Sequence, residues 1–213
     1  MVLFSNEVKE YLSENFSGLS CSGEDYSEIE FDSCVFTECD FSGASFSHCK
    51  FIDCRFLRSN VSNAKLNWSK FNGVIFEECK LIGLDWTRAS WPGMMFSAPM
   101  EFKRCILNDS NFFGLALNEL IVEDCKSHDV DFRTATLAQA SLSYSDFSRA
   151  LFGKTNLQGA DFTEAMNYDI NIFDNDIKII FGTHLHLTLM ECMISVVVKR
   201  VVSLSYMFMN TVA

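Results

Sequence analysis

Large apolar residues return at every fifth position over most of the chain. From Ile29 to Ala98 the sequence divides into pentads such as IEFDS, CVFTE, CDFSG, ASFSH and CKFID, each with an apolar middle residue. After one extra residue, Pro99, the count resumes as MEFKR, CILND and SNFFG and continues to Asp174. Only Ser127 and Asn167 are polar at the middle position. A period of five fits neither the helical repeat of about 3.6 nor the strand repeat of about 2, so the chain must turn once per pentad. The residue two before the middle is small, as at Ala44, Ala64, Ala135 and Ala160, or is mostly Cys, Ser or Val. Large middle and small partner therefore point inward together, and the other three positions, rich in Asp, Glu, Lys, Arg, Ser, Thr, Asn and Gly, face water.

Four such sides make a square coil of about twenty residues, stacked on the next at the ~4.8 Å spacing of neighbouring strands. The pentads predict about seven coils and a rod on the order of 35 Å long. Grouped by every fourth pentad, one side reads Phe31, Phe51, Phe71, Trp91, Phe112, Phe132, Phe152 and Ile172, a stack of mostly aromatic rings. Pentads such as CDFSG, SDFSR, TNLQG and ADFTE resemble the A-[DN]-[LF]-x-x consensus of the pentapeptide-repeat family over about 70% of the chain. That resemblance implies an all-β fold, a right-handed quadrilateral parallel β-helix. The expected organisation is an N-terminal cap over 1–15, the repeat over 16–177 with one phase slip at Pro99, and a non-repeat hydrophobic tail over 178–213.

The repeat reassigns what composition alone would suggest. Fifteen of the 21 Phe residues occupy middle positions and belong to the core. Cys34, Cys39, Cys49, Cys54, Cys79, Cys105 and Cys125 take the small inward position, as buried apolar thiols of a reducing compartment. Cys34/Cys39 and Cys49/Cys54 lie on adjacent sides of the coil with no further ligand converging, so neither a metal nor a cofactor is expected. Ser127 and Asn167, if buried, each need a hydrogen-bond partner or an internal water.

Charge is uneven in a chain of net charge -11. Acids concentrate toward the two ends of the repeat, whereas bases outnumber acids between residues 41 and 100. Outward carboxylates include Glu123, Asp124, Asp161 and Glu164 on one side of the later coils, and Asp109, Asp129, Asp146 and Asp169 on the next. An acidic rod of roughly duplex width can occupy a basic groove that normally takes phosphates, and the same charge argues against direct nucleic-acid binding. Lys80, Lys103, Arg104, Lys126 and Arg149 interrupt these sides, and a solvated surface that keeps the rod soluble is the plainer reading.

Pro99, with Trp86, Trp91, Met94 and Met95, marks either a contact patch or core packing around a bulge. The start of the chain, with Ser5 as N-cap and Val8, Tyr11 and Leu12 on one face, reads as a short amphipathic cap and not as a cleavable leader. The tail alternates at His184, Leu185, His186 and Leu187 and favours strand; two His and Glu191 argue against a membrane span over Ile179 to Val198. It serves as a cap or as a self-association surface, the latter giving a homodimer through the C-terminal end; an altered gene end is a further reading.

No Ser-His-Asp set, glycine-rich phosphate loop or metal quartet emerges, so the chain is not expected to be an enzyme. The long Phe-rich array, the Cys-for-Ala exchanges and the length are similar to the Qnr-like quinolone-resistance and microcin-immunity group of the family. That resemblance implies a cytoplasmic protein that binds DNA gyrase or topoisomerase IV as an acidic DNA mimic and counters poisons that trap cleaved DNA. The sequence departs from the group in having no insertion longer than Pro99 and no evident C-terminal dimerisation helix. The alternative is a protein-interaction scaffold with an unrelated partner.

Overall fold

The computed structural model describes residues 8–91, 100–171 and 173–177. Within each pentad a segment of three extended residues carries its middle side chain into the interior, as in Glu30–Asp32 and Val35–Thr37. The chain then turns through a residue of positive φ, for example Ser33 (55°), Glu38 (55°) and His48 (56°). Left-handed backbone costs an L-residue roughly 1–2 kcal/mol. The turn offsets that cost by aiming the same residue's N–H at the carbonyl of the next coil: Ser33 to Ile52 at 2.8 Å, Glu38 to Leu57 at 2.9 Å, His48 to Asn67 at 2.9 Å. Most corners are therefore also rungs; at Arg88 the N–H turns instead to Asp85 of its own side.

All pairing among the described strands is parallel. The longest sheet joins Asn15–Ser17, Val35–Thr37, Arg55–Leu57, Val74–Glu77, Met100–Lys103 and Ile121–Glu123. A second joins Glu10–Leu12, Glu30–Asp32, Lys50–Ile52 and Lys70–Asn72, and a third pairs Asp25–Ser27 with Ser45–Ser47. The remaining side runs through single bridges from Ser20 to Asp40, Asn60, Lys80, Ile106, Lys126, Asp146 and Met166. The longest sheet of regular strands, at 6, falls short of the seven coils expected, because later rungs shorten to isolated bridges. At some of these bridges an Asp or Asn stands just before the middle residue. Its side-chain oxygen accepts the N–H two residues on: Asp40 from Ser42, Asp131 from Arg133, Asn156 from Gln158, each at 3.0 Å. These are Asx-turns.

The interior is filled by the middle residues. Rings stack coil upon coil, Phe16–Phe36–Phe56–Phe76–Phe102 at centroid separations of 5.1, 4.6, 4.9 and 5.4 Å. Rings on adjoining sides meet edge to face, as Phe31 does with Phe36. Burial of a large side chain contributes about 1.5–3 kcal/mol, and such ring pairs add to it. The small inward position has a polar task of its own. Along one column the N–H of Cys39 meets Ser59 Oγ (3.0 Å), Ser59 meets Cys79 Sγ (3.4 Å), Cys79 meets Cys105 Sγ (3.4 Å), and Cys105 meets Cys125 Sγ (3.3 Å). Each Cys or Ser thus accepts an inward N–H of the preceding coil; where alanine stands instead, that N–H turns to the carbonyl three residues back, as Ala44 N–H does to Phe41 at 3.0 Å. Burial pushes the Cys54 thiol up to about 12. The described cysteines are free thiols.

Three expectations change. Of the cap expected over 1–15, residues 1–7 lie outside the described residues, and in the described part Glu10–Leu12 is a strand paired with Glu30–Asp32, with Tyr11 stacked on Phe31 at 5.4 Å. Tyr11, Phe16, Cys21 and Tyr26 continue the count of five upstream, so the coil begins ahead of residue 16. Ser5, Met94, Met95, Pro99, Ile172 and the tail over 178–213 lie outside the described residues; of the expected patch around Pro99, Trp86 is buried in the core and Trp91 packs against it. Asn167 is not a buried defect; it is exposed at a positive-φ turn and donates to Asp146 at 2.9 Å. Ser127 is fully buried, and its Oγ has no partner among the described residues.

The third change concerns the slip. Pairing steps are 20 residues from Val35 to Arg55 but 26 from Val74 to Met100, so six extra residues, not one, lie between Trp91 and Met100. Phe112 accordingly stacks on Trp86 (5.7 Å, interplanar 13°), while Trp91 lies over Phe71. The ring series expected through Trp91 to Phe112 is broken there, and Phe112, Phe132 and Phe152 extend the side of Trp86.

Replacing Ser127 by Ala removes an unpaired buried hydroxyl and should stabilise the protein by about 1 kcal/mol, read as a higher denaturant midpoint. A double-mutant cycle of Trp86→Leu and Phe112→Leu should show a coupling of about 1 kcal/mol; strictly additive losses would contradict the six-residue step.

Candidate functional site

The carboxylates singled out from the sequence fall on two adjoining sides, named by their middle residues. The Phe102 side carries Glu77, Glu78, Glu101, Glu123, Asp124, Asp161 and Glu164; the Phe147 side carries Asp109, Asp129, Asp146 and Asp169. The structure keeps together the two groups of four named from sequence, because both lie after the register step. It also separates them by what each carboxylate already holds.

On the early coils of the Phe102 side the acids are paired. Glu38 bonds Arg58 at 3.0 Å, Glu101 bonds Lys103 at 2.6 Å, and Glu77 is held by Arg55 and Arg104 together. The hydrogen bond from Arg55 heads the causes that hold the Glu77 carboxyl below the usual range. Beyond Arg104 this side has no base. Glu123, Asp124, Asp161 and Glu164 make no ion pair with any described residue. Asp161 still has a structural duty, accepting Thr163 N–H at 2.8 Å and Thr163 Oγ at 2.6 Å as an Asx-turn. Glu123, Asp124 and Glu164 have none, and stand at the two positions after a middle residue, where side chains project outward.

The Phe147 side is more committed. Asp129 is gripped by Arg149 at 2.5 and 2.7 Å, and that hydrogen bonding holds its carboxyl below the usual range. Asp146 accepts from Ser148 N–H (3.0 Å), Ser148 Oγ (2.7 Å) and Asn167 (2.9 Å), and its other oxygen lies 3.0 Å from His128 Nε2. Burial alone would raise the Asp146 carboxyl; the bonds from Asn167, Ser148 and His128 outweigh it and hold the group well below the carboxylate range. Asp109 and Asp169 remain exposed and without a described ion pair. The free carboxylates of the two sides thus number fewer than the sequence suggested.

Where the Phe102 side loses its bases, Lys103, Arg104, Glu123, Asp124 and Tyr144 line a shallow recess of about 300 Å³. Tyr144, 54% exposed, is the functional candidate that charge counting passed over. Its signal in the sequence is an aromatic at an outward turn position that elsewhere on this side carries a charge. Among the described residues no three His, Cys, Asp or Glu side chains gather as a metal site, and no helix is long and apolar enough to cross a membrane.

The four-sided parallel solenoid and its five-residue turn define a class. A model of the pentapeptide repeat region matches residues 29–98 and 84–162, and the chain belongs to the pentapeptide-repeat family, whose fold is a right-handed quadrilateral β-helix. Among solved structures the fold is similar to a trypsin-treated form of QnrB1, described as a plasmid-mediated fluoroquinolone resistance protein. That match has TM-score 0.67 and 18% identity, covering 88% of this chain and 97% of that one. A second trypsin-treated form of QnrB1 matches with TM-score 0.65 and 19% identity, covering 87% of this chain and 98% of that one. Comparison with curated protein sequences gives no match.

The depressed Asp146 carboxyl has a pH consequence. Its ionised form contributes stability fully present above the unfolded pKa of about 4 and lost as pH falls toward its lower folded value. Asp146→Ala should therefore cost about 2 kcal/mol at neutral pH and progressively less below about pH 4, measured by urea denaturation across that range.

Proposed function

We propose that this chain binds a type II topoisomerase, DNA gyrase or topoisomerase IV, in the cytoplasm. It presents the late coils of the Phe102 side to a basic groove in place of DNA and so protects the enzyme from quinolone-type or microcin-type poisons. The observation that carries this reading is the set of carboxylates without an ion pair, Glu123, Asp124 and Glu164, with Asp161 among them, on a side whose acids from Glu38 to Glu101 are all paired. Coils repeat at ~4.8 Å, somewhat wider than the ~3.4 Å of phosphates along one DNA strand, so successive coils offer charges at a comparable pitch. Exposed Asp109 and Asp169 extend the charge around the corner, whereas Asp129 and Asp146 serve mainly the fold. The six extra residues between Trp91 and Met100 remove one departure from the Qnr-like group, the lack of an insertion longer than Pro99. The fold shared with QnrB1, described as a fluoroquinolone resistance protein, supports the protection reading. Self-association through the C-terminal end belongs to the same proposal.

Added to gyrase with a quinolone, the purified chain should restore supercoiling and lower the amount of cleaved complex. Reversing Glu123, Asp124 and Glu164 to Lys, with Asp161 kept for its turn, should raise the concentration needed by at least about tenfold. The melting temperature should hardly move. Absence of any effect of the unaltered chain over a wide concentration range would sink the topoisomerase reading and leave the scaffold alternative.

A further inference from the structure

We infer that Tyr144 and the carboxylates beside it form an anchor for one arginine side chain of the partner, an inference that rests on the acidic-surface reading and sharpens it. The turn residues of this side form a straight column. The N–H groups of Arg104, Asp124 and Tyr144 donate to the carbonyls of Glu123, Ser143 and Thr163 at 2.9, 3.1 and 2.8 Å. At ~4.8 Å per coil, Asp124 stands one coil before Tyr144 and Glu164 one coil after it. All four column residues share a left-handed turn, with φ of 54° at Arg104, 52° at Asp124, 57° at Tyr144 and 55° at Glu164. Any residue type that tolerates the turn would serve the fold, so a ring more than half exposed in a column of charges serves something outside it. Its neighbours in the pentad are both small: Ser141 is half-buried and Ser143 is buried, so the exposed surface there is that of the ring.

The surroundings select the ligand's chemistry. A guanidinium is planar and weakly hydrated; it stacks on an aromatic face while its fork bonds carboxylates. An ammonium satisfies the carboxylates but gains less from the ring. At the lower rim of the recess Lys103 is engaged by Glu101, and Arg104 by Glu77 and Glu78. With those cations already paired, the unpaired charge of the recess lies at its other end, on Glu123 and Asp124 beside Tyr144, and draws an incoming cation there. The occupant is therefore an arginine of a basic protein surface.

The test uses the full chain and two labelled peptides, one alternating arginine with glycine and one alternating lysine with glycine, followed by fluorescence anisotropy at low salt. The arginine peptide should bind about tenfold more tightly than the lysine peptide. Tyr144→Phe should keep that ratio. Tyr144→Asn, chosen because Asn accepts left-handed backbone, should bring the ratio near one without shifting the melting temperature. Equal binding of both peptides by the unaltered chain, or an unchanged ratio in Tyr144→Asn, overturns the anchor. Gyrase protection measured in parallel separates the two ideas. An unchanged ratio with protection intact removes the anchor and leaves the topoisomerase reading standing. The expected ratios without any protection keep the anchor and assign it to another basic partner.

Discussion

Everything in this molecule hangs on the backbone hydrogen bond from one coil to the next, repeated in register at steps of twenty residues. Because it fixes which residues lie above one another, it turns a linear period into columns. Inside, the columns join ring to ring and thiol to backbone N–H. Outside, they place surface residues of consecutive coils about 4.8 Å apart, where like charges oppose one another. The chain answers by alternating sign: Lys50 meets Glu30 at 2.6 Å, Arg58 meets Glu38 at 3.0 Å, and Arg149 meets Asp129, each pair one coil apart. Such exposed pairs add little stability singly, but they relieve a repulsion that the stacking itself creates. A stretch where the alternation stops, as after Arg104 on the Phe102 side, keeps a charge that the fold does not need.

Most of the inward architecture was legible before any coordinates. Phe31, Phe36, Phe51 and Cys34 announce their places because a core position tolerates few residue types, and the period shows which positions those are. Two features were hidden for definite reasons. A count of five registers an insertion only by its remainder, so six extra residues between Trp91 and Met100 look like one extra proline. That ambiguity moved Phe112 from Trp86 to Trp91 in the sequence reading and left the assignment of ring columns wrong across the step. Tyr11, too, sits in phase with Phe31, but its flanking residues suit an amphipathic helix equally well, and only the edge offered by the next coil decides for strand.

The candidate surface was legible in part. The grouping of Glu123 with Asp124 and Glu164, and of Asp109 with Asp129 and Asp169, follows from the period alone. What each carboxylate is doing does not follow, because that depends on neighbours one coil away and on the turn. Arg149 reaches Asp129, and His128 and Asn167 converge on Asp146, across separations of about one coil that composition cannot reveal. Tyr144 was missed because an aromatic residue in a Phe-rich chain reads as core until the count shows it two places past a middle residue.

The position of an acid within the pentad therefore matters more than the total charge. An Asp just before the middle residue, such as Asp40, Asp131, Asp146 or Asp161, spends an oxygen on the turn that closes the side. Asn at the same place does the same work, as Asn111 and Asn156 show. Acidity at that position is thus a by-product of building the coil, and a solenoid with no acidic partner surface would carry it as well. Acids at the two places after the middle residue hold no such bond, and Asp or Glu there is exchangeable for Ser, Thr, Arg or Tyr without loss of the turn. Glu123, Asp124 and Glu164 occupy those places without an ion pair to any described residue, so they are the residues whose charge the fold leaves unexplained.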